Sequence, residues 1–394
     1  MDKETKIDVL IVGAGPAGSV AARTAAELGL NVILVEKRKE IGVPVRTTGV
    51  TSINTVREFE IPECYYHKIC GIRFHSPNEE AFFSYKESPG CLIDVTGTYQ
   101  YLARRAENAG SLVMTGAKAD ITQWMSKGSV VIQHHEQVLQ IRPKVIVDAT
   151  GYSAQISRAS GLHKGFARFG VGAEYDITTP HIKQDEIVLI VGQKYAPSGY
   201  AWVGPWGKNR VRVGVGLIHP DTKINPKEKL NLLMQDLPKM GIDNTGYIIN
   251  EYHFGLIPSQ GFADRISGRN ILAIGDAAGV ASLVAGEGIR TSMESGKIAA
   301  EVISRSINSR GKMSEYENII RKKHGTGLWL GRIINKRLSS SDDASLDSAV
   351  RILSKTSPEF VVNMLQSKFS LRDAVRIFST RPQLWPELVK NLIR

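Results

Sequence analysis

Hydrophobic residues near the start of the chain form two short continuous runs separated by a helical pattern. Val9–Val12 has the length and the β-branched content of a buried strand. The alanine-rich segment Ala17–Leu28 has helical character, and Gly29 follows it as a suitable C-cap. Val32–Val35 is a second buried run. The pattern therefore predicts a strand–helix–strand unit.

Three glycines with the spacing G-x-G-x-x-G connect the first strand to the helix: Gly13, Gly15 and Gly18. The first permits a tight turn, the second lets the backbone approach a pyrophosphate, and the third lets helix and strand pack closely. The helix N-terminus attracts phosphates, and Glu36 at the end of the second strand can accept hydrogen bonds from a ribose. Because all these parts occur in order, the segment predicts a dinucleotide-binding site.

A second strand-to-helix pattern lies in residues 270–300. An apolar strand leads into Gly275-Asp276, a loop of small residues follows, and a helix begins after Gly288-Ile289. The mid-chain segment VIVDATG adds another strand that ends in a turn. Together the three segments resemble the fingerprints of glutathione-reductase-type and hydroxybenzoate-hydroxylase-type flavoproteins. This resemblance implies FAD, with Asp276 at the ribityl chain and with Gly288 and Ile289 near the isoalloxazine.

The chain is long enough for more than one domain, since single cores stop growing at about 250–300 residues. The predicted fold class is α/β: a Rossmann-type FAD-binding domain, an inserted antiparallel β-sheet substrate domain above the flavin, and a C-terminal helical region. The predicted boundaries are 1–70, 95–170 and 265–310 for the FAD-binding domain, 71–94 and 171–264 for the substrate domain, and 311–394 for the helical region.

The net charge of +11 favours an anionic partner. Residues 311–394 carry 15 Lys and Arg against 8 Asp and Glu, an excess of +7. Such an excess suggests phospholipid surfaces, phosphorylated substrates or nucleic acid as partners, and no nucleic-acid-binding module is recognisable. The predicted partner is an anionic membrane surface, although a solvated basic helical face would explain any one cluster equally well. No run approaches the roughly 20 apolar residues of a membrane span. The expected location is the cytoplasm, with peripheral contact at the inner face of the membrane.

Three aromatic residues lie within seven positions: Tyr200, Trp202 and Trp206. In an alternating strand they point to one face, which would suit a long apolar ligand lying over a flavin. The alternative is that they pack the sheet against its neighbour. Pro205 and Gly207 favour the ligand, because they interrupt the strand where the edge of a pocket is expected.

The chain resembles the archaeal geranylgeranyl reductase family, FAD enzymes that saturate isoprenoid chains of ether lipids or prenyl groups. The resemblance rests on GAGPAG (13–18), EKRKEIGVPVR (36–46), PSGYAWVGP (197–205), VGVG (213–216), and the later GDAAG and GEGI segments. The family's Y-x-W-x-F-P motif is present except that Gly204 replaces its Phe. The resemblance implies reduction of C=C bonds in an isoprenoid lipid by hydride transfer from reduced flavin, with ferredoxin, NAD(P)H or a reduced flavin as electron donor.

The local patterns and the resemblance together suggest site residues. Predicted cofactor-binding residues are Gly13, Gly15, Ala17, Gly18, Glu36, Lys37, Arg46, Thr47, Thr48, Ala119, Gly275, Asp276, Gly288 and Ile289. Predicted substrate-binding residues are Tyr200, Trp202 and Trp206, and the candidate catalytic residues are Thr47, Thr48 and Glu287. Glu287 has an alternative role as a cap of the following helix. No metal is expected, because none of the nine histidines shows H-x-x-x-H spacing or a carboxylate partner.

The chain departs from the family pattern in places that bear on catalysis. After P-V-R the family has a cysteine against the flavin, and this chain has Thr47-Thr48 instead. Cys64, Cys70 and Cys91 lie elsewhere in the sequence and are expected to be reduced thiols remote from the chemistry.

Two other functions remain open from the sequence. A flavin monooxygenase shares the architecture and uses NAD(P)H with oxygen, but such enzymes have a D-G pair where this chain reads Ala149-Thr150-Gly151. A non-redox, carotenoid-cyclase-like flavoprotein would bind FAD without net electron transfer.

Overall fold

The computed structural model of the protein describes residues 5–368, and strands and helices are numbered here in chain order. The largest parallel arrangement lies in a seven-stranded sheet of order β8-β2-β1-β11-β10-β9, with β17 pairing alongside β11. Its strands are β1 (Thr5–Val12), β2 (Val32–Glu36), β8 (Leu112–Thr115), β9 (Ala117–Asp120), β10 (Val130–His134), β11 (Gln137–Asp148) and β17 (Ile271–Ala273).

The register of this sheet brings distant segments together. Val9–Val12 pairs in parallel with Val32–Val35 on one side and with Val145–Asp148 on the other. β17 then pairs in parallel with the end of β11. Because parallel strands end at the same edge, the loops after β1, β11 and β17 meet there, where α/β sheets bind their ligands.

The helices surround this sheet and cover the C-terminal part of the described chain. They are α1 (Pro16–Glu27), α2 (Ile53–Glu58), α3 (Val95–Asn108), α4 (Trp124–Lys127), α5 (Gln155–Ala159), α6 (Pro226–Asp236), α7 (Ile289–Ile307), α8 (Ser314–Ser339), α9 (Asp343–Leu353) and α10 (Pro358–Leu365). α1 and α7 pack very closely: a Cβ on Gly296 would lie 2.3 Å from the carbonyl oxygen of Ala17.

The second sheet also has seven strands, in the order β16-β12-β15-β14-β13-β5-β6. One of its faces packs its valines against α6 around Leu230 and Leu233. The sheet is antiparallel as predicted except that β5 and β13 pair in parallel. Its strands are β5 (Gly71–His75), β6 (Glu80–Ser84), β12 (Phe169–Thr178), β13 (Glu186–Ile190), β14 (Gly199–Gly207), β15 (Arg210–His219) and β16 (Ile248–Pro258).

A small third sheet was not expected from the sequence. It has the order β3-β7-β4 and comprises β3 (Val50–Ser52), β4 (Tyr66–Ile69) and β7 (Gly90–Ile93). The sheet joins strands that the sequence analysis assigns to different domains, because the predicted boundary at residue 70 separates β4 from β7. The domain division itself stays a prediction.

The C-terminal part of the described chain is helical, as the apolar pattern there predicts. The predicted helical pattern at residues 384–393 lies outside the described residues. Among the helices that the structure describes, none combines the length and the apolar character needed to span a bilayer.

Candidate functional site

A large cavity lies between two parts of the fold. On one side are the loops that follow β1, β11 and β17, and on the other is the face of the second sheet that does not pack against α6. It contains about 2160 Å³ of space, including its open mouth. The predicted site residues that line it are Gly15, Ala17, Arg46, Thr47, Thr48, Tyr200, Trp202, Gly275, Asp276, Glu287, Gly288 and Ile289. The predicted residues outside its lining are Gly13, Gly18, Glu36, Lys37, Ala119 and Trp206.

The three glycines of the first loop differ in their surroundings. Gly13 has a φ of +109°, and a Cβ there would lie 2.3 Å from the Ala149 carbonyl oxygen. A Cβ on Gly18 would lie 1.9 Å from the Gly13 oxygen. Gly15 has no atom within 4 Å of its Cβ position, and no side chain caps the helix that it begins. The open space and the free backbone N–H groups at this helix end fit a pyrophosphate.

The acidic residue at the end of β2 lies beside this loop. One carboxylate oxygen of Glu36 accepts a hydrogen bond from the Ala14 N–H at 3.0 Å, and the other accepts one from Arg38 N–H at 3.0 Å. Lys37 next to it is exposed, and Ala119 lies in β9. The contacts of these residues with the adenosine half of the cofactor stay predictions.

The second fingerprint faces the same cavity from β17. Gly275 adopts a φ of +57°, and a Cβ on Gly288 would lie 3.2 Å from Asp276 Oδ1. Burial, together with the charge of Glu287, raises the pKa of Asp276 to about 6. The N-terminus of α7 follows directly, and its partial positive charge favours an electron-rich group at this end of the cavity.

Glu287 is held at the N-terminus of α7. Its Oε1 accepts the backbone N–H of Arg290 at 2.8 Å and the hydroxyl of Thr51 at 3.1 Å. Burial raises the pKa of Glu287, and the charge of Arg290 acts in the opposite direction. The carboxylate therefore has the geometry of the alternative role, a helix cap, although it also lines the cavity.

Trp202 lies flat on a floor formed by Gly214 and Gly216, which we call the glycine floor. A Cβ on Gly214 would lie 2.3 Å from Trp202 Cζ2, and one on Gly216 would lie 3.2 Å from Cζ3. The alternating V-G-V-G of β15 thus places valines in the core behind the sheet and leaves space for the indole in front. Tyr200 packs beside it with ring centroids 5.7 Å apart, and its hydroxyl donates to the Ala285 carbonyl.

Trp206 is a correction to the predicted substrate-binding set. β14 has a bulge between Pro205 and Gly207. The Trp206 ring stacks with the guanidinium groups of Arg210 and Arg212 at 4.8 and 4.5 Å from its centroid. Trp206 therefore packs beyond the end of the cavity, where arginine side chains cover it.

A buried polar cluster, which the sequence analysis missed, lies at the Nε1 edge of the indole. Glu174 Oε2 accepts the Trp202 Nε1–H at 2.8 Å and the Thr48 hydroxyl at 2.5 Å, and Oε1 is 2.8 Å from His253 Nδ1. Arg212 donates to the Thr48 carbonyl oxygen at 2.6 Å. Glu174, His253 and Arg212 are each less than 5% exposed.

The loop between β2 and β3 packs against β16 next to this cluster. A Cβ on Gly255 would lie 2.2 Å from the Arg46 carbonyl oxygen, so glycine is needed for this close approach. Thr47 accepts the Gly49 N–H at 3.3 Å, and both predicted threonines line the cavity.

The expectation that no histidine has a carboxylate partner is wrong at His253. His253 has two carboxylate partners, Glu174 on the neighbouring strand and Glu251 two residues earlier, whose Oε2 is 3.0 Å from Nε2. Glu251 and His253 share one face of β16 because side chains alternate along a strand. The sequence Glu251-Tyr252-His253 could therefore have indicated the contact between Glu251 and His253.

A thiol also reaches the cavity, contrary to the expectation that the cysteines lie remote from it. Cys91 lines the cavity from β7 and is buried, whereas Cys64 is exposed. Burial, with the charge of Glu287 adding, raises the pKa of the Cys91 thiol to about 12.

We expect iodoacetamide at neutral pH to label Cys64 rapidly and to leave Cys91 unmodified in the folded protein, because the thiolate is the reactive species. Peptide mass spectrometry after timed labelling measures both sites. Denatured protein is the control, in which both should react; equal labelling rates in the native protein would contradict the burial of Cys91.

The far end of the cavity is apolar. Side chains from the second and third sheets, the loop before α7, and α10 surround it: Ile69, Ile72, Leu92, Ile187, Leu189, Leu283, Val284, Val362 and Leu365. The cavity thus joins a loop that fits a dinucleotide to a pocket that fits a hydrocarbon chain.

Comparisons with known proteins agree with this arrangement. Residues 6–318 match the model of the FAD binding domain family. Digeranylgeranylglycerophospholipid reductase 2 of Methanothermobacter thermautotrophicus is 31% identical over 88% of this chain and 92% of its own. The digeranylgeranylglycerophospholipid reductase of Methanosarcina acetivorans is 30% identical over 92% of each chain.

Solved structures share the fold. A geranylgeranyl bacteriochlorophyll reductase-like protein from Thermoplasma acidophilum superposes with a TM-score of 0.85 at 24% identity over 99% of both chains. A flavin-dependent brominase has a TM-score of 0.74 at 17% identity, over 97% of this chain and all of its own. The fold alone therefore does not select one reaction. The family match and the relatives at 30% identity or more show that this chain belongs to the archaeal geranylgeranyl reductase family of FAD-binding proteins.

Proposed function

We propose that the protein saturates C=C bonds in the geranylgeranyl chains of a glycerophospholipid. It is an FAD-dependent oxidoreductase of the family named above. The observation that carries the proposal is the continuity of the cavity: the Gly15 loop and Asp276 lie at one end, and the apolar pocket that ends at α10 lies at the other.

An isolated alkene has no carbonyl group that an enzyme could polarise, so the protein must act mainly by positioning and by excluding water. Bound reduced FAD would supply the hydride. Tyr200 and Trp202 would hold the isoprenoid chain over the glycine floor, and the apolar pocket would receive the rest of the chain. The roles of Tyr200, Trp202 and the apolar pocket in lipid binding are predictions that substitutions at these positions can test.

The reductase fits better than the two alternatives. The relatives at 30% identity or more are named as reductases. In the turn after β11, Asp148 accepts hydrogen bonds from the N–H and the hydroxyl of Thr150 and from the Ser157 N–H.

Anaerobic mixing of the dithionite-reduced protein with a geranylgeranyl glycerophospholipid tests the proposal. We expect the flavin absorbance to recover in a single turnover. The fully saturated lipid is the matched control and should not reoxidise the flavin. Reoxidation by oxygen with hydroxylated lipid, and none by lipid alone, would support the monooxygenase instead.

The same proposal includes peripheral contact with an anionic membrane. β16 is the edge strand of the second sheet, and four of its apolar side chains are exposed: Ile248, Ile249, Tyr252 and Phe254. Lys227 lies 4.7 Å from the centre of the Tyr252 ring. Exposed apolar side chains on an edge strand beside a lysine match the lipid–water boundary of an anionic bilayer.

The electron donor, ferredoxin, NAD(P)H or reduced flavin, stays a prediction.

We expect the Ile248→Asp, Ile249→Asp double variant to lose about tenfold in binding to phosphatidylglycerol vesicles, because two apolar contacts become charges. Co-sedimentation measures binding. Val138→Asp is the matched control, since Val138 is as exposed as Ile248 (67% and 65%) but lies on the first sheet. Equal binding of all three proteins would rule out this strand as the contact.

A further inference from the structure

We propose that His253, Glu174 and Thr48 form a proton relay that leads from solvent to the alkene. The proposal rests on the proposed function, since alkene reduction needs a proton as well as a hydride. The sequence leaves Thr47, Thr48, Tyr200, Glu287 and bound water open as the proton donor; the structure connects one of these, Thr48, to a chain of titratable groups.

The hydrogen-bonded path is continuous. Glu251, whose side chain is 57% exposed, contacts His253 Nε2 at 3.0 Å. His253 Nδ1 contacts Glu174 Oε1 at 2.8 Å, and Glu174 Oε2 accepts the Thr48 hydroxyl at 2.5 Å. Thr48 lines the cavity beside the loops of the predicted flavin site. The path thus crosses from exposed carboxylate to cavity through two buried side chains.

The charged groups around the path raise the pKa of His253 and so favour a proton on its ring. Burial acts to lower the pKa of His253, but the hydrogen bond and charge of Glu174 and the hydrogen bond of Glu251 outweigh it and raise that pKa, against the charge of Arg212. Burial acts to raise the pKa of Glu174, but His253, Arg212 and Thr48 lower it. Both pKa shifts favour an imidazolium beside a carboxylate.

The Trp202 indole has a second role in this arrangement. Its Nε1–H donates to the same Glu174 oxygen that accepts the Thr48 hydroxyl. The contact orients the resting carboxylate at the edge of the indole, while the glycine floor positions the ring. The Trp202 side chain thus serves both the position of the substrate and the proton path through Glu174.

The chemistry balances. The hydride from the reduced cofactor brings one electron pair and forms the C–H bond on one alkene carbon. The π pair forms the second C–H bond with the proton from the Thr48 hydroxyl, and the cofactor is oxidised by two electrons. The His253 imidazolium first gives its Nδ1 proton to Glu174 Oε1, the neutral carboxyl group turns to present that proton, and Thr48 takes it up as its own hydroxyl proton goes to the carbon. The His253 ring, left neutral with its remaining proton on Nε2 beside Glu251, is reprotonated at Nδ1 by water after the product leaves the cavity.

Glu174→Gln is the central variant. The amide can still accept from Trp202 and Thr48 and can donate to a neutral His253, so the geometry is retained while the carboxylate charge is lost. Thr48→Val removes the terminal hydroxyl, and Thr48→Ser restores it. Asp236→Asn is the control for loss of a buried acid, because Asp236 pairs with Lys194 and Lys239 on the α6 side of the same sheet.

The first measurement is an NMR titration of the His253 ring in the FAD-bound protein, which does not depend on turnover. We expect the wild-type ring to titrate above its ordinary pKa and the Glu174→Gln ring at a clearly lower pH than the wild type, because burial and Arg212 are then opposed by Glu251 without Glu174. An unchanged pKa in the variant would overturn the proposal.

The second measurement is the anaerobic single-turnover rate with lipid. In the wild type it should fall as pH rises through the His253 pKa, because the imidazolium loses its proton there. Glu174→Gln and Thr48→Val should be about 100-fold slower and lose this pH dependence, with Thr48→Ser and Asp236→Asn near wild type. Unchanged rates in both variants would overturn the relay; a wild-type protein that reduces no lipid would refute the proposed function, and the titration would then decide the relay alone.

Discussion

The Gly15→Val protein should fold and contain almost no FAD. Gly15 has a φ of −70°, which valine can adopt, and nothing lies within 4 Å of its Cβ position. The substitution therefore fills only the space that the pyrophosphate needs. We expect flavin occupancy below about one tenth of the wild-type value, a loss of at least ~1.4 kcal/mol in binding. Flavin absorbance per protein and the circular dichroism of the apoprotein measure the two effects.

Gly18→Ala is the contrasting variant. Its Cβ would lie 1.9 Å from the Gly13 carbonyl oxygen, inside the fold itself. We expect this protein to lose stability even without FAD. Full flavin occupancy in Gly15→Val would show that this loop does not hold the cofactor.

The Trp202→Ala protein should bind lipid about tenfold to a hundredfold more weakly. Truncation of a large buried aromatic side chain costs roughly 3–5 kcal/mol, and lipid or water entering the gap would recover part of it. Flavin content and the melting temperature should change much less, because the indole lies in the cavity and not in a core behind the sheet. A collapse of the melting temperature would instead show that Trp202 acts mainly as a packing residue.

Two further variants separate the contributions of the indole. Trp202→Phe keeps an aromatic ring but removes the N–H that Glu174 accepts. Gly214→Ala keeps the indole but places a methyl group 2.3 Å from Trp202 Cζ2, so it should also weaken lipid binding. Gly325→Ala in α8 is the control, because no atom lies within 4 Å of that Cβ position.

The strands, loops and helices at the predicted cofactor end could be predicted from the sequence because their signals are local. Strand, glycine loop, helix and second strand follow one another within 30 residues, and the backbone demands at Gly13 and Gly18 are visible in the spacing alone. The three fingerprints could be combined because parallel strands of one sheet end at one edge.

The buried cluster could not be predicted because its members come from separate strands. Glu174 and His253 are 79 residues apart and meet only through the register of β12 and β16. The bulge in β14, which ends the cavity before Trp206, is likewise a property of strand pairing. Cys91 lines the cavity because β7 pairs with β3. These strands are far apart in the sequence, so no local pattern predicts their pairing.

The central claim is that this flavoenzyme saturates geranylgeranyl chains. Mass spectrometry of the lipid after anaerobic incubation with the dithionite-reduced protein tests it most directly, with protein-free dithionite as the control. We predict products that have gained two hydrogen atoms for each bond reduced, with no added oxygen. Recovery of the lipid unchanged, or with oxygen incorporated once air is admitted, would contradict the account.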